Sequence, residues 1–228
     1  MAERTKLWFL QNFNLFRSLP PEAMERLSQK VLMETSQPKT ILYFPEEPSN
    51  TIYFLKKGKV KITRISEDGR RTTLQLLGPG DIFGESAILG RDKRENVAEV
   101  LEDAVICTIS KETLQELMDE VPELNRSIRK LIGFRLQRIQ AQLEDLVFKT
   151  ARERIEAFLR RFTKKFGRQM VDGWLVRPFL RHQEIAELTA TTRQTVTAVL
   201  NELVAEEIIA YKRSYLLVKN QEWLEKES

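Results

Sequence analysis

Arg193, Gln194 and Thr197 are the residues of this chain whose types and spacing could do the most specific chemistry. A guanidinium bonds guanine through two parallel N–H groups, and a glutamine amide can do the same with adenine. An Arg-Gln pair on the first turn of a helix is therefore suited to reading base edges in a DNA groove. The three residues lie within residues 182–203, HQEIAELTATTRQTVTAVLNEL. Counting from His182, Ile185 and Ala186 take the fourth and fifth places, Ala190 the ninth, Val196 the fifteenth and Val199 the eighteenth. Two short helices joined by a tight turn need apolar or small residues at those places, so that the helices can approach closely. Thr191 or Thr192 can cap the second helix, and Thr-Thr-Arg-Gln at 191–194 fits a capping box with Gln194 reaching back. With either cap, Arg193, Gln194 and Thr197 face away from Val196 and Val199. A helical hairpin that binds protein would share the apolar spacing, but it would not require Arg193-Gln194.

The elements around this pair can position it. Residues 208–218, IIAYKRSYLLV, alternate like a hairpin and put Lys212 and Arg213 at its tip. A strand is expected around Trp174–Val176, a basic loop at 163–168, and a helix from Ala151 to Phe162. Upstream, from Pro122 to about Phe148, Gly133 is the one helix-weakening residue after the opening proline. Ile132, Ile139 and Leu146 recur every seven residues, with Leu136 and Leu143 between them, which predicts a two-stranded coiled-coil seam and a parallel homodimer. From about Thr40 to Ile109 the pattern changes to short strands: 52–55, 59–63 and 74–77, with Glu67-Asp-Gly-Arg70 as a hairpin turn in which Asp-Gly supplies positive φ angles. That spacing suggests a sandwich or barrel. Residues 1–35 look helical at their edges, through Leu7, Leu10, Phe13 and Phe16 and then a proline-led start near Pro20.

Composition bounds the function class. The 228 residues suit one or two domains, with 42% hydrophobic and 31% charged residues. The net charge is +4; from Lys149 onward there are 15 Lys/Arg against 11 Asp/Glu, so the whole excess sits with the helical pair, which suits a phosphate backbone. One cysteine, Cys107, excludes an intramolecular disulfide and a cysteine-ligated iron–sulfur cluster carried by one chain. No signal-peptide core and no membrane-length apolar run is present, so the cytoplasm is the expected compartment and no membrane partner is expected. An enzyme is disfavoured: there is no Gly-x-Ser-x-Gly, no P-loop, no metal spacing, and a single histidine, His182.

A second constellation is Gly80-Asp-Ile-Phe-Gly84-Glu85 followed nine residues later by Arg94. A glycine-rich turn with backbone N–H groups and an arginine can hold a phosphate, and Glu85 can accept from sugar hydroxyls. With this turn, the long helix, a hinge near Phe148–Thr150 and the winged helical pair in that order, the chain resembles the cAMP receptor protein/FNR (CRP/FNR) family of bacterial transcription regulators over nearly its full length. The resemblance implies an α+β fold: an N-terminal β-roll of the cyclic-nucleotide-binding jelly-roll type (1–120), a long dimerisation helix (121–148) and a C-terminal winged helix-turn-helix (149–228). It implies a homodimer on double-stranded DNA, regulated through the β-roll. Arg193, Gln194, Thr197 and Ala198 then sit where the family contacts bases, with Gln194 in place of the family's frequent Glu. Arg152, His182, Thr191, Thr192, Thr195, Lys212 and Arg213 are the phosphate candidates. The dimer seam is Ile132, Leu136, Ile139, Leu143 and Leu146.

The same resemblance identifies Gly84, Glu85, Arg94, Glu95, Ile139 and Gln140 as effector-pocket positions. Cyclic-AMP-binding members have Arg-Ser where this chain has Arg94-Glu95, and a carboxylate facing a phosphodiester would repel it. An ungapped count from Phe148 puts Ile139-Gln140 where the cAMP receptor offers Thr-Ser to the adenine. Both departures argue against cAMP, and Arg94 is expected either to hold a phosphate or to close the pocket by pairing with Glu85 or Glu95. FNR-type oxygen sensing needs four cysteines, and haem lacks an axial ligand, since His182 opens the helical pair, where it would cap or touch phosphate, and Cys107 reads as a buried strand residue. The expected function is a DNA-binding regulator modulated by an effector other than cAMP, or by none. The alternatives are a cyclic-nucleotide-responsive regulator of the same family and a regulatory subunit binding a protein partner. Residues 163–173 are the segment that could touch RNA polymerase.

Overall fold

The computed structural model describes Phe16 and residues 19–226; the expected helix through Leu7, Leu10 and Phe13 lies outside them. The chain divides into two compact units, one of residues 1–71 and 75–139 and one of residues 72–74 and 140–228.

The first unit begins with α1 (Pro21–Lys30), where Pro opens the helix and Ala23, Met24 and Leu27 form its buried stripe. Strands β1 (Leu32–Ser36), β2 (Ile41–Tyr43), β3 (Thr51–Ile65), β4 (Arg71–Leu77), β5 (Ile82–Phe83) and β6 (Asn96–Ser110) form one sheet with the order β1-β6-β3-β4, β2 pairing with β6 and β5 with β3. The residues read as two strands, 52–55 and 59–63, are one fifteen-residue strand, β3, with register shifts between Leu55 and Val60. Gly58 makes this possible: its φ is 90°, and a Cβ there would meet the Asp103 carbonyl oxygen at 2.5 Å. The bulge flips the parity of the strand. Ile52 and Phe54 pack with Phe16, Met24, Leu27, Cys107, Leu114 and Leu124. Leu55, Val60 and Ile62 pack with Tyr43, Phe83, Val100 and Ile106 in a second cluster. Cys107 is buried, as its strand context implies. The Asp-Gly turn is wider than a two-residue hairpin: Ser66 N–H donates to Arg70 O, Gly69 has φ 78°, and Asp68 keeps negative φ.

Helix α2 (Lys111–Glu120) starts at Ser110, whose hydroxyl accepts from Thr113 N–H. Helix α3 (Pro122–Phe148) follows; its first turns bury Leu124 and Ile128. The boundary between the two units falls within α3.

The second unit contains α4 (Ala151–Phe166), strands β7 (Arg168–Met170) and β8 (Gly173–Val176), α5 (His182–Leu188), α6 (Arg193–Ala205), strands β9 (Ile209–Lys212) and β10 (Tyr215–Val218), and α7 (Gln221–Glu225). Thr150 and Glu153 close a capping box at the start of α4. The expected loop at 163–168 is mostly helix, because α4 carries Phe158, Phe162 and Phe166 in a continuous aromatic row to its end. The four strands form one antiparallel sheet, β7-β8-β10-β9. Its core is Ile155, Leu159, Phe162, Val176, Ile185, Val196, Leu200, Leu203, Leu216 and Trp223, all buried.

Candidate DNA-reading surface and effector pocket

The α5–α6 pair packs as its spacing requires. Ile185, Ala186, Val196 and Val199 are buried, and Ala190 sits in the turn with φ 49°, a left-handed conformation that is costly for a residue with a Cβ. Thr192 is the cap of α6: its hydroxyl oxygen accepts from Thr195 N–H at 3.1 Å, and the two threonine hydroxyls meet at 2.9 Å. This corrects the expected box at 191–194. With the cap at 192 the third helical residue is Thr195, so Gln194 does not reach back and its amide stays outward. Thr191 instead donates its N–H to Ala186 O at 2.9 Å and closes the turn.

Arg193, Gln194 and Ala198 are exposed and Thr197 is half-buried. Residues four apart on a helix share a face, so Arg193 with Thr197 and Gln194 with Ala198 make one outward patch on the first two turns of α6. Thr197 is tied down. Its hydroxyl donates to Arg193 O at 2.9 Å, and His182 Nδ1 lies 2.8 Å from the same oxygen. Since the hydroxyl proton goes to the carbonyl, Nδ1 is assigned as the donor to Thr197. His182 is the first residue of α5, not its cap; that place belongs to Arg181, whose N–H donates to Glu184. The imidazole packs on Tyr211 with centroids 5.6 Å apart. Burial first, and then the nearby Arg193 charge, hold its pKa below the ordinary histidine value.

Lys212, the last residue of β9, and Arg213 just after it are exposed at the expected wing tip. Arg152 differs from expectation. Its guanidinium holds Glu156 at 2.8 Å, Glu202 at 2.7 Å and Glu206 at 2.7 Å. Bonds to Glu206 and then Glu156 raise its pKa further. Three carboxylates offset its one charge, which weakens the attraction it offers a phosphate.

In the first unit the effector-pocket residues are engaged by the chain itself. Arg94 is 3% exposed and bonds neither Glu85 nor Glu95, contrary to expectation. It donates to Gly84 O at 2.8 Å and to Thr51 O, and its guanidinium carbon lies 4.6 Å from the Tyr43 ring centroid and 5.7 Å from that of Tyr53. Burial lowers the pKa of Arg94 and pushes that of Tyr43 up to about 12. Its Nε has no hydrogen-bond partner among the described residues. Gly84, with φ 77°, lets the turn pass this close: a Cβ would fall 2.8 Å from Thr51 O and 2.9 Å from the Arg94 guanidinium. Glu85 pairs with Arg135 of α3, which also donates to Ile82 O. Glu95 pairs with Arg64 and Arg91. The expected repulsion from Glu95 is thereby reduced, because two guanidinium groups neutralise its carboxylate.

The cleft beside Glu85 is lined by Ile88, Leu89, Ile128, Leu131, Ile132 and Arg135. Ile139 and Gln140 are exposed and do not line it. Arg135, which does line it, stands about one helical turn before Ile139. Arg135 carries no spacing signal, since one arginine in a charged helix looks like any other. Ile132, Leu136, Ile139, Leu143 and Leu146 are all exposed in the single chain, as are Val147 and Phe148.

Residues 33–121 match the cyclic nucleotide-binding domain family, and residues 153–227 match the Crp-like helix-turn-helix domain family. The chain is 31% identical to the cyclic AMP receptor protein of Thermus thermophilus, over 86% of this chain and 87% of that one. It is 28% identical to a CRP-like cAMP-activated global transcriptional regulator of Mycobacterium tuberculosis, over 94% and 96%. Among solved structures, a CRP-family transcriptional regulator from Thermus thermophilus superposes with a TM-score of 0.69 at 28% identity, over 85% of this chain and 95% of that one.

Proposed function

The chain belongs to the CRP/FNR family of transcription regulators, and from that premise we propose that it binds a near-palindromic DNA site as a homodimer and does so without cAMP. It is a DNA-binding regulator rather than an enzyme; the finer statements are the proposal. Arg193, Gln194, Thr197 and Ala198 read bases. Thr191, Thr192, Thr195, Lys212, Arg213 and His182 contact phosphate. The exposed seam from Ile132 to Leu146 supports pairing of two α3 helices. Pairing brings two α6 helices to successive major grooves, about 34 Å apart. The hairpin β7–β8, with Val171 fully exposed at its tip, is the surface offered to RNA polymerase.

The observation that carries cAMP independence is that the pocket's groups already have partners within the chain. The two Nη groups of Arg94 are taken by two carbonyls and its guanidinium lies against two tyrosine rings, leaving only Nε over, and the Glu85 carboxylate, which would accept from a ribose, is taken by Arg135. A nucleotide would have to displace both sets of contacts before gaining its own. The effector is therefore something other than cAMP, or there is none. A cyclic-nucleotide-responsive regulator is the second reading. It is favoured by Gly84, Glu85 and Arg94 standing on one turn, and by the neutralised Glu95. Calorimetric titration of the full-length protein with cAMP and with cGMP separates the two. No saturable heat is expected; a saturable isotherm with either nucleotide overturns the proposal.

A further inference from the structure

The Arg154 guanidinium makes three hydrogen bonds, all to backbone carbonyls, and those carbonyls belong to two different segments. Nη1 donates to Lys149 O at 2.8 Å, Nε to Thr189 O at 2.9 Å and Nη2 to Ala190 O at 3.0 Å. Lys149 stands between α3 and α4. Thr189 and Ala190 form the turn between α5 and α6. Carbonyls just past a helix end lack intrahelical partners, and a cationic fork is well suited to supply them. Ala190 also holds a left-handed conformation that needs support from its surroundings. The same turn decides where α6 begins: Thr192 caps it, and Arg193 and Gln194 are its first two residues.

We propose that Arg154 is a positioning residue for base reading. It fixes the α5–α6 turn to the Lys149 carbonyl, so that the start of the reading helix follows the segment joining α3 to α4. The inference rests on Arg193 and Gln194 as the base readers. Lysine cannot take its place, because one ammonium cannot span carbonyls in two segments with the geometry of a planar fork. A phosphate contact by Arg154 is the competing role, and it has a different signature. A lost phosphate contact weakens all sequences alike and lowers the salt slope by about one, whereas a misplaced reading helix loses discrimination at an unchanged slope.

The test uses the full-length protein, R154A, R154K and R193A. The probes are a duplex selected by the wild-type protein from a random pool and a scrambled duplex of equal length. Affinities are measured over a salt series, with thermal unfolding alongside. R154A and R154K are expected to fold and to bind the selected duplex about tenfold or more weakly. Both are expected to keep the wild-type affinity for the scrambled duplex and the wild-type salt slope. Wild-type discrimination in R154K overturns the proposal, as does an equal loss on both duplexes with a reduced slope. If R154A does not fold, R154K decides by the same criteria; if neither folds, the residue is structural and the proposal fails. R193A monitors the premise separately: should it keep every base preference, the base-reading assignment fails whatever Arg154 does.

Discussion

In the proposed function Arg193 and Lys212 offer the same charge to DNA and differ in what they can read. Arg193 sits exposed on the first turn of α6 beside Gln194, whereas Lys212 is exposed at a hairpin tip. Replacing Arg193 by Ala should cost about 1–3 kcal/mol at one base position and relax preference there. Replacing Lys212 by Ala should weaken every duplex alike and lower the salt slope by about one. Affinities on single-base variants of a selected site, over a salt series, check both; a uniform loss for Arg193 or a selective loss for Lys212 reverses the assignments. His182 adds a pH dependence with a definite sign. It is the sole histidine, and its folded pKa is depressed, so the unfolded chain binds the proton more readily. Its contribution to stability is fully present above the ordinary value of 6.5. The contribution declines as pH falls below that value and is lost once pH passes the depressed folded one. An NMR titration of the single imidazole should give a pKa below 6.5 in free protein. The pKa should rise on DNA, where a phosphate contact needs the imidazolium. A free-protein pKa at or above the ordinary value sinks this reading.

The capping register of α6 belongs to the scale of elements. Thr192 holds the Thr195 N–H, while Thr191 bonds back to α5 through its backbone. Thr192→Ala should therefore destabilise the fold by about 1 kcal/mol in denaturant unfolding, and Thr191→Ala by clearly less. The opposite order would move the cap. The helical pair, the wing and the long helix were legible in the sequence because each rests on periodicity: buried Ile185, Ala186, Val196 and Val199, alternation through 208–218, and the seven-residue repeat of α3. Gly58 was not legible as a bulge. A glycine between two apolar runs reads as a break, and only the partner strand β6 shows that β3 continues through it. Arg135, Arg152 and Arg154 were opaque for a related reason. Arg152 reaches Glu156 at the local i,i+4 spacing, but Arg135 to Glu85, Arg152 to Glu202 and Glu206, and Arg154 to the Thr189 and Ala190 carbonyls are distant pairings that no local spacing encodes. That Gly84, Glu85 and Arg94 lie close together was legible from the turn and the arginine nine residues on. That Arg94 gives its two Nη groups to the Gly84 and Thr51 carbonyls was not.

At the scale of the whole molecule, the proposed function depends on two copies and on one charged half. The net positive charge lies beyond Lys149, with the DNA-reading unit. The apolar seam of α3 exposes Leu136 by 56% and Leu143 by 58% in the single chain, which is surface a coiled-coil partner would cover. Leu143→Asp should sediment as a monomer at concentrations where the wild type is dimeric, and should lose the selected site while keeping its helical content. A dimeric variant would mean that another surface joins the copies. The proposed regulator is a dimeric base reader joined to a β-roll whose pocket does not need cAMP. Selection of bound duplexes from a random pool by the full-length protein, in parallel with and without cAMP, tests it most directly. The same near-palindromic motif is expected in both arms; a motif recovered only with cAMP would contradict it.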